Sequence, residues 1–146
     1  MNKQDSKLLS NIQKKRTRGS IMVSEDLLRQ LFVKKSLTNN NSGFQLQLIN
    51  PLSDATIVEP AKITVKGDTV EKETYKDFQI ESESGTRIPN KEISKSRPFH
   101  FPINAKVTLY LMREQKLPAE KYTLTFTILS EEYGELKFRI KERIRD

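Results

Sequence analysis

The chain has one histidine, His100, set between Phe99 and Phe101. In an extended stretch neighbouring side chains point to opposite faces, so His100 faces away from the two rings and toward solvent. A nucleophile–histidine–acid triad or a histidine-based metal centre needs partners that a lone imidazole does not have. Carboxylates are more plentiful. Glu81 and Glu83 share one strand face, and Glu131, Glu132 and Glu135 crowd one turn. Grouped carboxylates can hold a hard cation or carry out acid–base work. No Asp-x-Asp-x-Asp-Gly loop accompanies them, however, and most acids alternate with apolar residues, as solvated positions do. Cysteine is absent, which removes thiolate nucleophiles and thiolate metal ligands. The five glycines stand singly at turns, without the pattern of a phosphate-cradling loop. No catalytic residue, metal ligand or cofactor site is assigned on these grounds.

Two further features carry chemistry of a different kind. Lys14, Lys15, Arg16 and Arg18 form a basic cluster able to neutralise nucleic-acid phosphates without reading sequence. No aromatic residue is interleaved for base stacking, and the neighbouring residues do not form a basic amphipathic helix of membrane-binding quality. The second feature is the row Thr123, Thr125 and Thr127, a face suited to packing against a partner or simply to solvent in a β-strand.

The charge is unevenly spread. The formal net charge is +7. Residues 1–20 hold Lys3, Lys7, Lys14, Lys15, Arg16 and Arg18 against Asp5 alone, so +5 sits there and the remainder is nearly balanced at +2. The arm, residues 1–21, has few apolar groups and reads as flexible and disordered. Residues 22–146 read as one folded domain, of a length that buries enough surface to fold without covalent staples. The lack of cysteine fits a reducing compartment. No stretch approaches the roughly 20 apolar residues that cross a bilayer, and the polar N-terminus has no secretory apolar region. A cytoplasmic location away from membranes is the expectation.

The elements that would position any site are mostly strands. Ser24 is a good N-cap for a short helix, with Glu25 and Asp26 favourable in the first turn and Leu27, Leu28 and Leu31 on one side. Asn39–Gly43 is a turn between a strand at 31–38 and a strand at 44–50. Shorter strands are expected at 56–58 and 63–65, at Thr69–Val70 after the turn Lys66-Gly67-Asp68, and in one strand through Tyr75, Phe78 and Ile80. Ile93, Phe99 and Phe101 are expected anchors of an irregular stretch. Val107, Leu109 and Leu111 alternate, as do Tyr122, Leu124, Phe126 and Ile128, and then Leu136, Phe138 and Ile140. The pattern predicts an all-β fold: an antiparallel β-sandwich of immunoglobulin-like type, with a short N-terminal helix and a disordered basic arm.

Four stretches carry a family resemblance: Ser36-Leu-Thr-Asn…Gly43-Phe-Gln-Leu, Ile63-Thr-Val-Lys-Gly-Asp-Thr-Val70, Val107-Thr-Leu-Tyr-Leu and Leu117-Pro-Ala-Glu-Lys-Tyr-Thr-Leu124. Across residues 31–140 the chain resembles the small β subunit of C-glycoside deglycosidases and its microbial relatives. Lys66, Ala119 and Tyr122 depart from that pattern, standing where an acidic residue, a glycine and a histidine are usual. The resemblance implies an accessory sandwich subunit that completes a hetero-oligomer with a larger catalytic subunit acting on sugar conjugates. It transfers no catalytic position to this chain. The leading expectation is therefore an accessory or interaction module for a larger protein partner. The alternative is a nucleic-acid-associated protein bound through its arm, and a stand-alone carboxylate enzyme comes third.

Overall fold

A computed structural model describes residues 23–146, together with the backbone pairing of β1 (Arg16–Thr17) with β2 (Ser20–Ile21). The other residues of the arm lie outside the described residues, and so does the expectation that they are disordered.

Helix α1 (Glu25–Leu28) begins where the capping chemistry places it. The Ser24 hydroxyl accepts from the Leu27 N–H, and Glu25 and Asp26 occupy the first turn. A 3₁₀ turn, Arg29–Leu31, extends it, and Leu28 and Leu31 are buried. The strands follow in order: β3 (Thr38–Asn40), β4 (Gly43–Ile49), β5 (Ala55–Ile57), β6 (Lys62–Lys66), β7 (Glu73–Tyr75), β8 (Phe78–Ser82), β9 (Arg87–Pro89), β10 (Phe99–Phe101), β11 (Lys106–Met112), β12 (Lys121–Ser130) and β13 (Gly134–Arg143).

These strands form an antiparallel sandwich of two sheets. One has the order β3-β4-β11-β8-β9. In the other, the long strand β12 pairs with β13 along one edge and with β6 and β5 along the opposite edge; β7 extends from β6 and β10 from β5. Alternation along each strand sends one set of side chains between the sheets. Phe44, Phe78, Tyr122, Phe126 and Phe138 are almost wholly buried there, with Phe126 stacked on Phe138 at 4.8 Å between ring centres.

Several local expectations shift. The partner of β4 is not a strand over 31–38 but Thr38–Asn40, so Asn39 and Asn40 belong to the ladder and the turn tightens to 41–42. The earlier stretch reaches β4 without forming a strand: Phe32 makes an isolated bridge to Leu48, Val33 N–H donates to the Gln47 carbonyl, and the Ser36 hydroxyl accepts from Gln47 N–H. Tyr75, Phe78 and Ile80 do not share one strand: Tyr75 is in β7 of one sheet and Phe78 in β8 of the other. Both rings pack against the same core from opposite sides, and for that reason both residues are aromatic. Thr69 and Val70 form no strand. They close a loop in which Gly67 N–H donates to the Val70 carbonyl and Glu120 accepts from Thr69. Gly67 is required there by contact, since a Cβ would stand 2.6 Å from the Tyr122 ring.

The chain passes from sheet to sheet at β4–β5, β7–β8, β9–β10, β10–β11 and β11–β12. Each passage carries backbone polar groups toward the core, where an unpaired group costs about 1–3 kcal/mol. Three buried asparagines provide partners. Asn50, between β4 and β5, donates through Nδ2 to the Ser53 and Phe101 carbonyls and accepts from Leu52 N–H; its own backbone bonds Ala105 and Asn104. Asn90, after β9, donates to the Ala61 and Lys76 carbonyls and accepts from Ala61 N–H. Asn39 donates to the Leu117 carbonyl and accepts from Leu117 N–H. Five passages are thus tied by three side chains.

A polar clamp also joins the two sheets. Arg113, just beyond β11, makes a two-pronged contact with Glu73 of β7, with Nε and Nη2 at 2.9 and 3.0 Å from the carboxylate oxygens. Tyr75 donates its hydroxyl to the same carboxylate. Hydrogen bonding from Arg113 holds the Glu73 carboxyl below its usual proton affinity. Burial, followed by the neighbouring carboxylate, pushes the Tyr75 hydroxyl well above the ordinary tyrosine value.

Two predictions follow from these contacts. Asn90→Ala leaves three part-buried backbone groups without their partner and should destabilise the fold by about 2 kcal/mol or more, read by urea denaturation; a loss below about 1 kcal/mol would contradict the assigned role. Glu73 binds its proton more weakly folded than unfolded, so its contribution is present above the usual carboxylate range and fades as pH falls through the lowered value. Glu73→Gln should therefore flatten the acid limb of a stability–pH curve, and an unchanged limb would count against the clamp.

Candidate functional site

The sequence-nominated carboxylates do not converge. Glu81 accepts from Arg87 Nε at 2.9 Å and from the Tyr110 hydroxyl at 3.1 Å, and the Arg87 guanidinium lies 4.0 Å from the centre of the Tyr110 ring. Glu83 accepts instead from Lys106 N–H. Glu132 turns to β5, where it takes the Thr56 N–H and hydroxyl, both at 2.8 Å, while Glu131 and Glu135 remain exposed. His100 is exposed in β10 opposite Thr56. Among the described residues no group of three or more histidines, cysteines and carboxylates is placed to hold a metal ion. Lys14, Lys15 and Arg18 lie outside the described residues, and of Arg16 only the backbone pairing is described.

The groups with displaced proton affinity tie elements together. The Thr69 hydroxyl and N–H lower the affinity of Glu120. Burial pushes the Tyr122 hydroxyl up to about 12, and that hydroxyl donates to the Pro118 carbonyl at 2.6 Å. The Glu73–Tyr75–Arg113 cluster escapes sequence reading because its acid and its arginine are 40 residues apart and meet only across the sheets. A void of about 30 Å³ near Leu31, Phe101 and Tyr133 has room for about one water.

The threonine row belongs to a larger surface. Thr125 is flanked across the ladder by Thr64 and Arg139, Thr123 by Lys66 and Lys141, and Thr127 by Lys62 and Lys137. Two basic rows, on β6 and β13, therefore border a central row of hydroxyls on β12. Thr74 of β7 continues the middle line, with its hydroxyl 3.4 Å from that of Thr64. Period-two alternation pointed to the threonine row, but the cations beside it and the neighbour relations that make them one face follow from the strand order. Lysines 62, 66, 137 and 141 and Arg139 are exposed, and the threonines are half-buried between them. Two open depressions of about 460 and 580 Å³ meet at Arg139.

Helix α1 borders this face. Arg139 N–H donates to the Glu25 carboxylate at 2.9 Å, and Arg29 Nε donates to the Arg139 carbonyl at 2.8 Å. The helix thus satisfies both backbone groups at the middle of the free edge of β13, a position that would otherwise invite strand pairing. The Arg139 backbone N–H is the main reason that Glu25 holds its proton more weakly than usual. Glu135 stands at one end of the face, opposite Leu129, and the pair Lys121 and Arg143 at the other.

Among the described residues no helix is long and apolar enough to cross a membrane. No curated protein matches the chain. A family comparison matches residues 27–145 to the hydroxymethylglutaryl-CoA reductase N-terminal domain, which overturns the likeness to the C-glycoside deglycosidase β subunit. The stretches behind that likeness are strand and loop features with local explanations: Gly67 fits a tight loop against Tyr122, and Leu117 is held by Asn39. Such features recur wherever antiparallel strands pack face to face. The match spans most of the sequence, and the chain belongs to the family of the hydroxymethylglutaryl-CoA reductase N-terminal domain.

Proposed function

We propose that the chain is an accessory β-sandwich module without a catalytic set of its own, working with a larger enzyme in the cytoplasm. The family is named for a domain of hydroxymethylglutaryl-CoA reductase, which supports that enzyme as the one this module works with. The observation that carries this reading is the use made of the ionisable groups. Glu73, Tyr75 and Arg113 join the sheets, Glu120 holds the 67–70 loop, Glu132 holds β5 and Glu25 covers the edge of β13. Groups spent on strand and loop contacts are poorly placed for acid–base work, which needs a proton-transferring group free to face a substrate. The outer faces of the sandwich are left to do the recognising.

A second reading is nucleic-acid association, first suggested by Lys14, Lys15, Arg16 and Arg18. It is favoured by one specific feature: the arm leads directly into α1, which sits beside Arg139 at the border of the basic sheet face.

Co-expression of the tagged chain with the reductase of the same organism tests the first reading. A complex of fixed stoichiometry that survives nuclease treatment and moderate salt is the expected result, and the isolated chain should reduce no hydroxymethylglutaryl-CoA. Turnover by the isolated chain, or elution of the two proteins as separate species, would contradict it.

A further inference from the structure

We infer that the outer face of the six-stranded sheet binds the sugar–phosphate backbone of a nucleic acid, an inference that rests on the second reading above and assigns it a surface on the folded domain. The site comprises Lys62 and Lys66 on one side, Lys137, Arg139 and Lys141 on the other, and the hydroxyls of Thr123, Thr125 and Thr127 between them.

The geometry is that of a track. Side chains on one face of a strand repeat about every 6.8 Å, and rows on adjacent strands lie about 4.8 Å apart. The two basic rows are therefore about 9.6 Å apart, with hydroxyl donors along the midline. Lysine, arginine and threonine are all phosphate-contacting side chains. The cations repel one another and are drawn together only by the sheet that carries them. Glu25 offsets part of the charge of Arg139, at 3.5 Å from its Nε, and also pairs with Arg29. The other four cations of the two rows have no salt-bridge partner among the described residues. Glu135 and Glu142 lie at the margins; Glu142 accepts from the Lys35 N–H.

The chemistry favours a nucleic acid over an acidic protein. Protein interfaces centre on aromatic, methionine and arginine anchors and are depleted in lysine. This face has lysine in four of its five cationic positions, and none of its row residues is aromatic. It also offers no asparagine or glutamine for base edges and no ring for stacking, so binding is to the backbone and indifferent to sequence. Lys72 opens onto the same depression as Lys62 and Lys137. The arm, with its excess of positive charge, is joined to the domain at the edge of β13.

Fluorescence anisotropy of the full chain with labelled mixed-sequence duplex and single-stranded DNA, over a range of salt, tests the assignment. The triple variant Lys62→Gln, Lys137→Gln, Lys141→Gln should weaken binding at least about tenfold and make the plot of log affinity against log salt shallower by about 2–3. These side chains are exposed, so its thermal midpoint should stay that of the parent. A control with Lys91→Gln, Lys95→Gln and Lys116→Gln removes equal charge from exposed positions outside the face and should change little. If the triple variant binds like the parent while neutralising Lys14, Lys15, Arg16 and Arg18 abolishes binding, the nucleic-acid reading survives and the sheet-face site is overturned. If the parent binds neither DNA at low salt, both fall. If polyglutamate displaces DNA at a lower concentration of charge than DNA itself does, the face takes an acidic protein and the proposal is wrong.

Discussion

A sandwich whose chain changes sheets five times must find partners for the backbone at every passage, and it does so here with three buried asparagines. An asparagine side chain carries one acceptor and two donor hydrogens, which match a backbone carbonyl and N–H in a single group. Asn50 and Asn90 each serve two passages, reaching partners 51 and 14 residues away in sequence, and Asn39 holds the last one against β3. In a chain without cysteine these contacts do the work of fixing loops to a core, but with hydrogen bonds strengthened by burial. The aromatic stack of Phe126 on Phe138 needs no such tie, since the two rings are cross-strand partners within the β12–β13 hairpin.

With the interior fixed in this way, the ionisable groups fall into two populations. One is bound into the architecture: Glu73 with Arg113 across the sheets, Glu120 on its loop, Glu25 on the edge of β13. The other lies free on the outer face of β6, β12 and β13, where lysines stand in rows beside threonines. The first population supports the fold, and the second remains available to a ligand. This division supports the accessory role proposed above, in which recognition belongs to the surface and chemistry to another protein.

The legibility of the sequence follows the same division. Strands that place one clean row in the core were readable, as in the alternation of Tyr122, Leu124, Phe126 and Ile128 against threonines. The capped helix at Ser24 was readable for an equally local reason. The passages were not. Tyr75 and Phe78 look like neighbours in one strand because the core they share is the same, and only their odd spacing hints that the chain has changed sheets at Lys76 and Asp77. Asn39, Asn50 and Asn90 look like ordinary turn residues, since a side chain's partner 14 to 78 residues away leaves no local trace. The basic face was only partly visible: the threonine row of β12 could be read from alternation, but the flanking cations become one face with it only because β6 and β13 both pair with β12. The family resemblance misled because short strand and loop motifs recur across unrelated sandwiches.

The account makes the outer face of the six-stranded sheet the working surface of the molecule. The most direct measurement is an amide and side-chain NMR titration of the full chain with nucleic acid at low salt. The account predicts shifts concentrated on Thr64, Thr123, Thr125, Thr127 and the flanking Lys62, Lys137 and Lys141, with the interior and the opposite sheet quiet. Shifts centred on Glu81, Arg87 and Tyr110, or confined to the arm, would contradict it.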